Sequence, residues 1–145
     1  MKMADSKKAT LRIFTFTLVL LFCLSCIAPL ASAMPGSQYI NSYSASMTAG
    51  SNGNVTIWFQ ISGTGTMDQI GSTTIEIYEN GTRVRIYQHT STSGMMAYNK
   101  LGHSGSITYS GVVGRQYRAH VTFQAGKNGG WDNRSVNSNI VTAKK

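Results

Sequence analysis

The groups able to do acid, base, nucleophilic or metal chemistry are few. Beyond residue 33 the carboxylates are Asp68, Glu76, Glu79 and Asp132, and the histidines are His89, His103 and His120. A glycosidase needs two carboxyl groups facing each other across a cleft. Glu76 and Glu79 lie three residues apart, so a strand turns them to opposite faces. Both are expected as solvated charges beside the Asn80-Gly81 dipeptide. Asp68 is expected to cap a single helical turn over Met67–Gly71, with Met67 and Ile70 turned inward. The histidines are widely spaced and form no H-E-x-x-H pattern, so they imply no zinc set. No G-x-S-x-G elbow marks a nucleophilic serine. Asp132 and Asn133 lack the ordered acids of a calcium loop and read as local turn formers. These residues imply no catalytic set, no metal site and no cofactor, so the chain reads as non-enzymatic.

Recognition chemistry is better supplied. Trp131 follows the glycine-rich stretch Gly126–Gly130, and Tyr98 follows Met95-Met96. Both are expected on loops, where exposed aromatic rings can stack on sugars or anchor a protein, with Asp132 beside them. Trp131 folded back as a lid over the core is the competing reading. Arg83 and Arg85 alternate on one strand, which would give a small basic patch for teichoic acid or anionic lipid. A dispersed charge that keeps the domain soluble is the alternative. No stacking platform with interleaved basic residues is legible, so no nucleic-acid partner is expected.

The elements that must carry these residues have a period of two. Tyr39–Met47, Val55–Ser62, Thr73–Tyr78, Arg83–Tyr87, Ser106–Ser110, Tyr117–Gln124 and Val136–Val141 read as about seven strands. Asn80-Gly81 is a strong two-residue hairpin signal. The other breaks, including Gly63–Thr66, Gly102–Gly105 and Gly126–Gly130, read as loops. Seven short strands with one wet face each imply an all-β chain, a single antiparallel β-sandwich. The exposed apolar pair Met95 and Met96, with the small size and positive charge, also permits a membrane-active or antagonistic protein.

The segment Val113-Gly114-Arg115-Gln116-Tyr117-Arg118-Ala119 resembles the start of strand F in immunoglobulin and fibronectin type III domains. There a tyrosine hydroxyl bonds back to the upstream backbone. Tyr117 would be that tyrosine, and Trp58 fits a buried tryptophan of the same sandwich. The parity of Trp58 with Thr56 and Gln60 is the competing signal, for the wetter face. The segments Tyr39–Ser46, Gly63–Gly71 and Asn128–Asp132 are similar to a family of small secreted proteins of uncharacterised function from Gram-positive, clostridia-like bacteria. That resemblance spans nearly all of the chain beyond residue 33 and implies a secreted domain, with no activity to carry over.

Residues 1–33 read as an address. Lys2, Lys7, Lys8 and Arg12 precede an apolar run from Ile13 to Leu30, and Ala31-Ser32-Ala33 closes it. This is the order of a secretory signal peptide, with cleavage expected after Ala33. A retained anchor needs about 20 clean apolar residues, more than Ile13–Leu24 supplies. A lipoprotein signal would cut before Cys26 and leave the Ala-Ser-Ala site unexplained. Of 145 residues, 112 then form the domain at 34–145, with its core at about 38–143. Both cysteines leave with the leader, and the net charge falls from +8 to +5. The product is expected to be extracellular, monomeric and without a stable membrane anchor. Its partner would be a cell-wall or host glycan, or a protein. A charged fraction of 12% argues against a disordered polyelectrolyte, and 145 residues exclude a TIM barrel or a two-domain dinucleotide enzyme.

Overall fold

A computed structural model describes residues 36–145. The expected signal peptide and its expected cleavage site after Ala33 lie outside the described residues. Seven strands follow in order: β1 (Ile40–Ala49), β2 (Asn54–Glu79), β3 (Thr82–Gln88), β4 (Met96–Ser110), β5 (Gln116–Lys127), β6 (Gly130–Asn137) and β7 (Val141–Thr142). Every pairing is antiparallel. The described residues are 73% strand with no helix, in one seven-stranded sheet curled into a half-barrel.

The strand count agrees with the sequence reading, but the division differs. The expected second and third strands are one strand, β2, and the helical turn at Met67–Gly71 does not form. The reason lies in the backbone bonds. Gln69, Ile70 and Gly71 pair with Tyr98, Ala97 and Met96 of β4 on one side. On the other side they pair with Gly126, Ala125 and Gln124 of β5. Strand partners on both edges satisfy the donors and acceptors that one isolated turn would leave open. β4 likewise starts ten residues before the expected Ser106, at Met96. The last expected strand divides into β6 and β7.

β2 bends at defined places. Between the pairs Ser62↔Gly102 and Met67↔Lys100, four residues of β2 stand against Leu101 alone. This excursion, Gly63–Thr66, is held by Thr64, whose N–H donates to Tyr39 O at 3.0 Å and whose hydroxyl donates to Gln38 O at 2.8 Å. A second shift falls between Ser72 and Thr74. There the buried Ser72 hydroxyl donates to Thr122 O at 3.1 Å. With the shift at Ser72–Thr74 re-phasing the pleat between Ile70 and Ile75, the side chains of Val55, Ile57, Phe59, Ile61, Met67, Ile70, Ile75 and Ile77 all enter one core. β5, in the same curled sheet, adds Tyr117, Ala119, Val121, Phe123 and Ala125. Tyr43 of β1 meets Phe123 of β5 across that core, with ring centroids 5.7 Å apart. The Asn139 side-chain amide exchanges bonds of 2.8 and 3.0 Å with the Met47 N–H and C=O, as a neighbouring strand would.

Tyr117 is fully buried. Its hydroxyl accepts from Val112 N–H at 2.8 Å and donates to the Glu79 carboxylate. Its ring rests on Gly111, where a Cβ would sit 2.6 Å from Cζ. Burial, followed by the bond to Glu79, raises the Tyr117 pKa above its ordinary 10.0. A raised folded-state value means stability that is intact below pH 10 and lost as pH rises beyond it. Trp58 is not part of this core: it is 51% exposed. Its pleat position, opposite to Ile57 and Phe59, dictates that outcome.

Removing the Tyr117 hydroxyl leaves a backbone N–H and a carboxylate short of a partner. Tyr117→Phe is expected to cost about 1–3 kcal/mol, and Gly111→Ala about the same through overpacking. Urea denaturation measures both, and midpoints equal to wild type would contradict the account.

Candidate functional site

The Gly126–Gly130 stretch is not a loop. Gly126 and Lys127 end β5, and Gly130 opens β6. The turn is only Asn128-Gly129, both at positive φ (52° and 81°), the geometry that matches hairpin twist. Trp131 is therefore a strand residue paired with Gly126. A Cβ on Gly126 would fall inside the indole, so the ring lies across the glycine. Tyr98 is also on a strand, not a loop. It pairs with Gln69, and Gln69 pairs with Gly126. Four strands thus bring Tyr98, Gln69, Gly126 and Trp131 into one transverse row. Directly paired residues share a face, and here it is the outer one, since Ile70 and Ala125 point inward. Tyr98 is 55% exposed and Trp131 46%.

Asp132 is separated from that row. It pairs with Ala125 and so faces away from Trp131. Its carboxylate accepts from the Ser37 hydroxyl at 2.5 Å and from Tyr39 N–H at 2.9 Å. These bonds tie the segment before β1 to β6, a long-range clasp rather than a local turn. They also lower the Asp132 pKa below its ordinary 3.8, the Ser37 bond contributing most.

Arg83 and Arg85 are also separated. A register shift between Ile77 and Tyr78 sets Arg83 opposite Tyr78 and Arg85 opposite Ile77. Those β2 neighbours face opposite sides, so the expected shared patch is split by a bulge at Val84. Arg83 pairs with Glu76 at 2.7 Å, and Arg85 lies over the Tyr87 ring at 5.2 Å. Arg115 stands 3.8 Å from Glu79, and Arg118 covers Tyr78 at 5.8 Å.

The remaining ionisable groups serve as structural ties. Glu76 accepts from the Tyr78 hydroxyl at 2.9 Å as well as from Arg83, and both bonds lower its pKa. Neither Glu76 nor Glu79 is a freely solvated charge, since their side chains are 17% and 21% exposed. Asp68 caps no local turn: it accepts from Asn128 N–H at 2.7 Å, holding the distant β5–β6 hairpin. His89 contacts Ser93, His103 contacts Gly94 O, and His120 contacts Asn137. Among the described residues no three His, Cys, Asp or Glu side chains come together as metal ligands.

One exposed aromatic was assigned to the core by the sequence argument. Trp58 stands at the centre of the outer face of β1, β2 and β4, paired with Ser46 on one side and Ser106 on the other. The next row holds Ser44, Gln60 and Ser104. A shallow depression of about 440 Å³ opens here. The legible signal was the parity of Trp58 with Thr56 and Gln60, together with serines at alternate positions 42–46 and 104–106.

No protein family, no curated protein and no solved structure matches this chain.

The Asp132 clasp has a pH signature. Its lowered pKa adds stability above the ordinary carboxyl range and loses it as pH falls through the lowered value. Asp132→Asn is expected to melt lower than wild type at pH 7 and to show a shallower fall in Tm between pH 5 and pH 2. Parallel Tm curves over that range would contradict the clasp.

Proposed function

We propose that the protein is exported by its leader, cleaved after Ala33 and released as a monomeric recognition module that binds glycan. Its sandwich is of immunoglobulin or fibronectin type III kind. Supporting that topology are the Tyr117 hydroxyl accepting from Val112 N–H, and β1 packing across the core onto β5. It would act at a cell envelope or a host surface, as the sequence resemblance to small secreted proteins of Gram-positive bacteria implies.

The observation that carries the reading is the transverse row of Tyr98, Gln69, Gly126 and Trp131. The row is built on four hydrogen-bonded strands, so its rings are held before any ligand arrives. Indole and phenol faces stack on the C–H face of a sugar ring, and the Gln69 amide between them can exchange bonds with hydroxyl groups. The neighbouring row, with Gln124 and Asn133, extends the amide chemistry. Polyanion recognition has less support, because Arg83, Arg85, Arg115 and Arg118 each contact a carboxylate or a ring. The membrane-active reading loses its motivation, because Met95 and Met96 are 1% and 8% exposed.

A pull-down with purified Gram-positive cell wall, alongside a glycan array, tests the proposal. Wild type is expected to bind, and Trp131→Ala to lose most binding while remaining folded. Gly126→Ala is expected to weaken binding too, by lifting the indole off its seat. Absence of binding by wild type, or full binding by Trp131→Ala, would overturn the reading.

A further inference from the structure

Trp58 lies in a different part of the sheet from the Tyr98–Trp131 row, and its surroundings have a chemistry of their own. The outward positions are Ser42–Thr48 on β1, Thr56–Ser62 on β2 and Gly102–Thr108 on β4, taken at alternate residues. They carry hydroxyl, amide or indole groups and no ionisable group. The rows are in strict cross-strand register, Ser46–Trp58–Ser106 beside Ser44–Gln60–Ser104. Flanking rows are occupied with each other: Ser42 bonds Ser62 at 2.7 Å and Thr56 bonds Thr108 at 3.1 Å. Around the indole, Ser44, Ser46, Gln60, Ser104 and Ser106 make no side-chain hydrogen bond to other described residues. Their donors and acceptors are available. The indole itself is steadied at one edge, where Nε1 reaches the Thr48 hydroxyl at 3.4 Å.

The shape is elongated. The depression at Trp58 shares Gln60 and Ser104 with a second one of about 430 Å³, which runs on to Leu101. Leu101 is 60% exposed. The groove therefore offers an aromatic face, a run of unpaired hydroxyl and amide groups, and then an exposed aliphatic side chain.

We infer that this groove is a second binding site, which takes a neutral, extended polysaccharide chain with one pyranose ring stacked on Trp58. The inference rests on the reading of the protein as a glycan-binding module and names the ligand class of a separate site. A pyranose has an apolar C–H face for the indole and equatorial hydroxyl groups for the flanking serines and Gln60. A nucleic acid strand would need a positively charged groove beside the ring. A protein partner would favour an apolar centre with few serines. The absence of a charged group in the rows around Trp58 selects an uncharged chain over teichoic acid or a glycosaminoglycan; His103, which lines the Leu101 end, is tied to Gly94 O at 2.8 Å.

The chain has only two tryptophans, which gives a direct test. Trp131→Phe leaves Trp58 as the sole indole. Its fluorescence is followed during titration with cellohexaose, chitohexaose and mannohexaose, with heparin as the anionic control. At least one neutral hexamer is expected to shift the Trp58 emission saturably, and heparin is not. Trp58→Ala, in the otherwise native protein, is expected to weaken binding of that hexamer about tenfold or more, the scale of one lost aromatic stack. Its Tm and its Trp131-dependent binding to cell wall are expected to stay unchanged. No shift with any neutral hexamer, or an equal shift with heparin, overturns the inference. If cell-wall binding through Trp131 persists in that case, the module reading stands and only this site fails. If neither site binds, both readings fall.

Discussion

The backbone of β2 must find hydrogen-bond partners along 26 residues, and every other feature of the sheet follows from how it does so. Strands usually run to five or six residues. Fully extended, this one would reach about 85 Å, several times the radius of a domain this size. It can be accommodated only by bending. The Gly63–Thr66 excursion and the Ser72–Thr74 shift supply the bends, and the second also resets which face points inward, from Ile70 to Ile75. Four strands take partners from it: β1 along its first half, β4 from Asn54 to Gly71, and β5 and β3 towards its end. A strand shared in this way sets the register of both exposed aromatic faces at once. Trp58 lies on its first half and the Gln69 row near its middle.

A second constraint recurs wherever a large side chain lies flat on the sheet. In four places a glycine makes the room, three of them on a paired strand and the fourth, Gly111, just past the end of β4. Phe59 covers Gly105, where a Cβ would sit 2.6 Å from the ring. Tyr117 covers Gly111, and Trp131 covers Gly126. Met96 covers Gly71 with its sulfur 2.9 Å from the missing Cβ position. A glycine in a strand weakens it unless something packs over the gap, and an aromatic neighbour restores that contact. In this protein the same device aligns rings with the sheet surface, the orientation that stacking on a planar ligand requires.

That device also marks where the sequence was legible and where it was not. The alternating runs from Val55 to Ile61 and from Tyr117 to Phe123 announced strands and their inward faces, and Asn80-Gly81 announced its turn, because both depend on neighbours close in sequence. Gly105 and Gly126 read as loop punctuation because a glycine seated beneath a ring looks the same, in one dimension, as a glycine in a turn. The helical turn at Met67–Gly71 failed for a related reason: its strand partners come from β4 and β5, far along the chain. The split of Arg83 from Arg85 turns on one extra residue, Val84, whose effect exists only against the paired strand. Trp58 was the most recoverable error. Its parity already placed it outward, and the expectation of a buried sandwich tryptophan outweighed that local signal.

The account's central claim is that exposed rings on the outer face of the β2-organised sheet form the working surface. The protein's two indole N–H groups report on that surface separately in a 1H–15N spectrum. Solubilised cell-wall glycan and a neutral hexasaccharide are added in turn to the protein comprising residues 34–145. The account predicts that the indole signals of Trp131 and Trp58 move, while the amides of the buried β5 residues Ala119 and Val121 stay in place. Unmoved indoles, or shifts confined to the opposite face around Asp132, would contradict it.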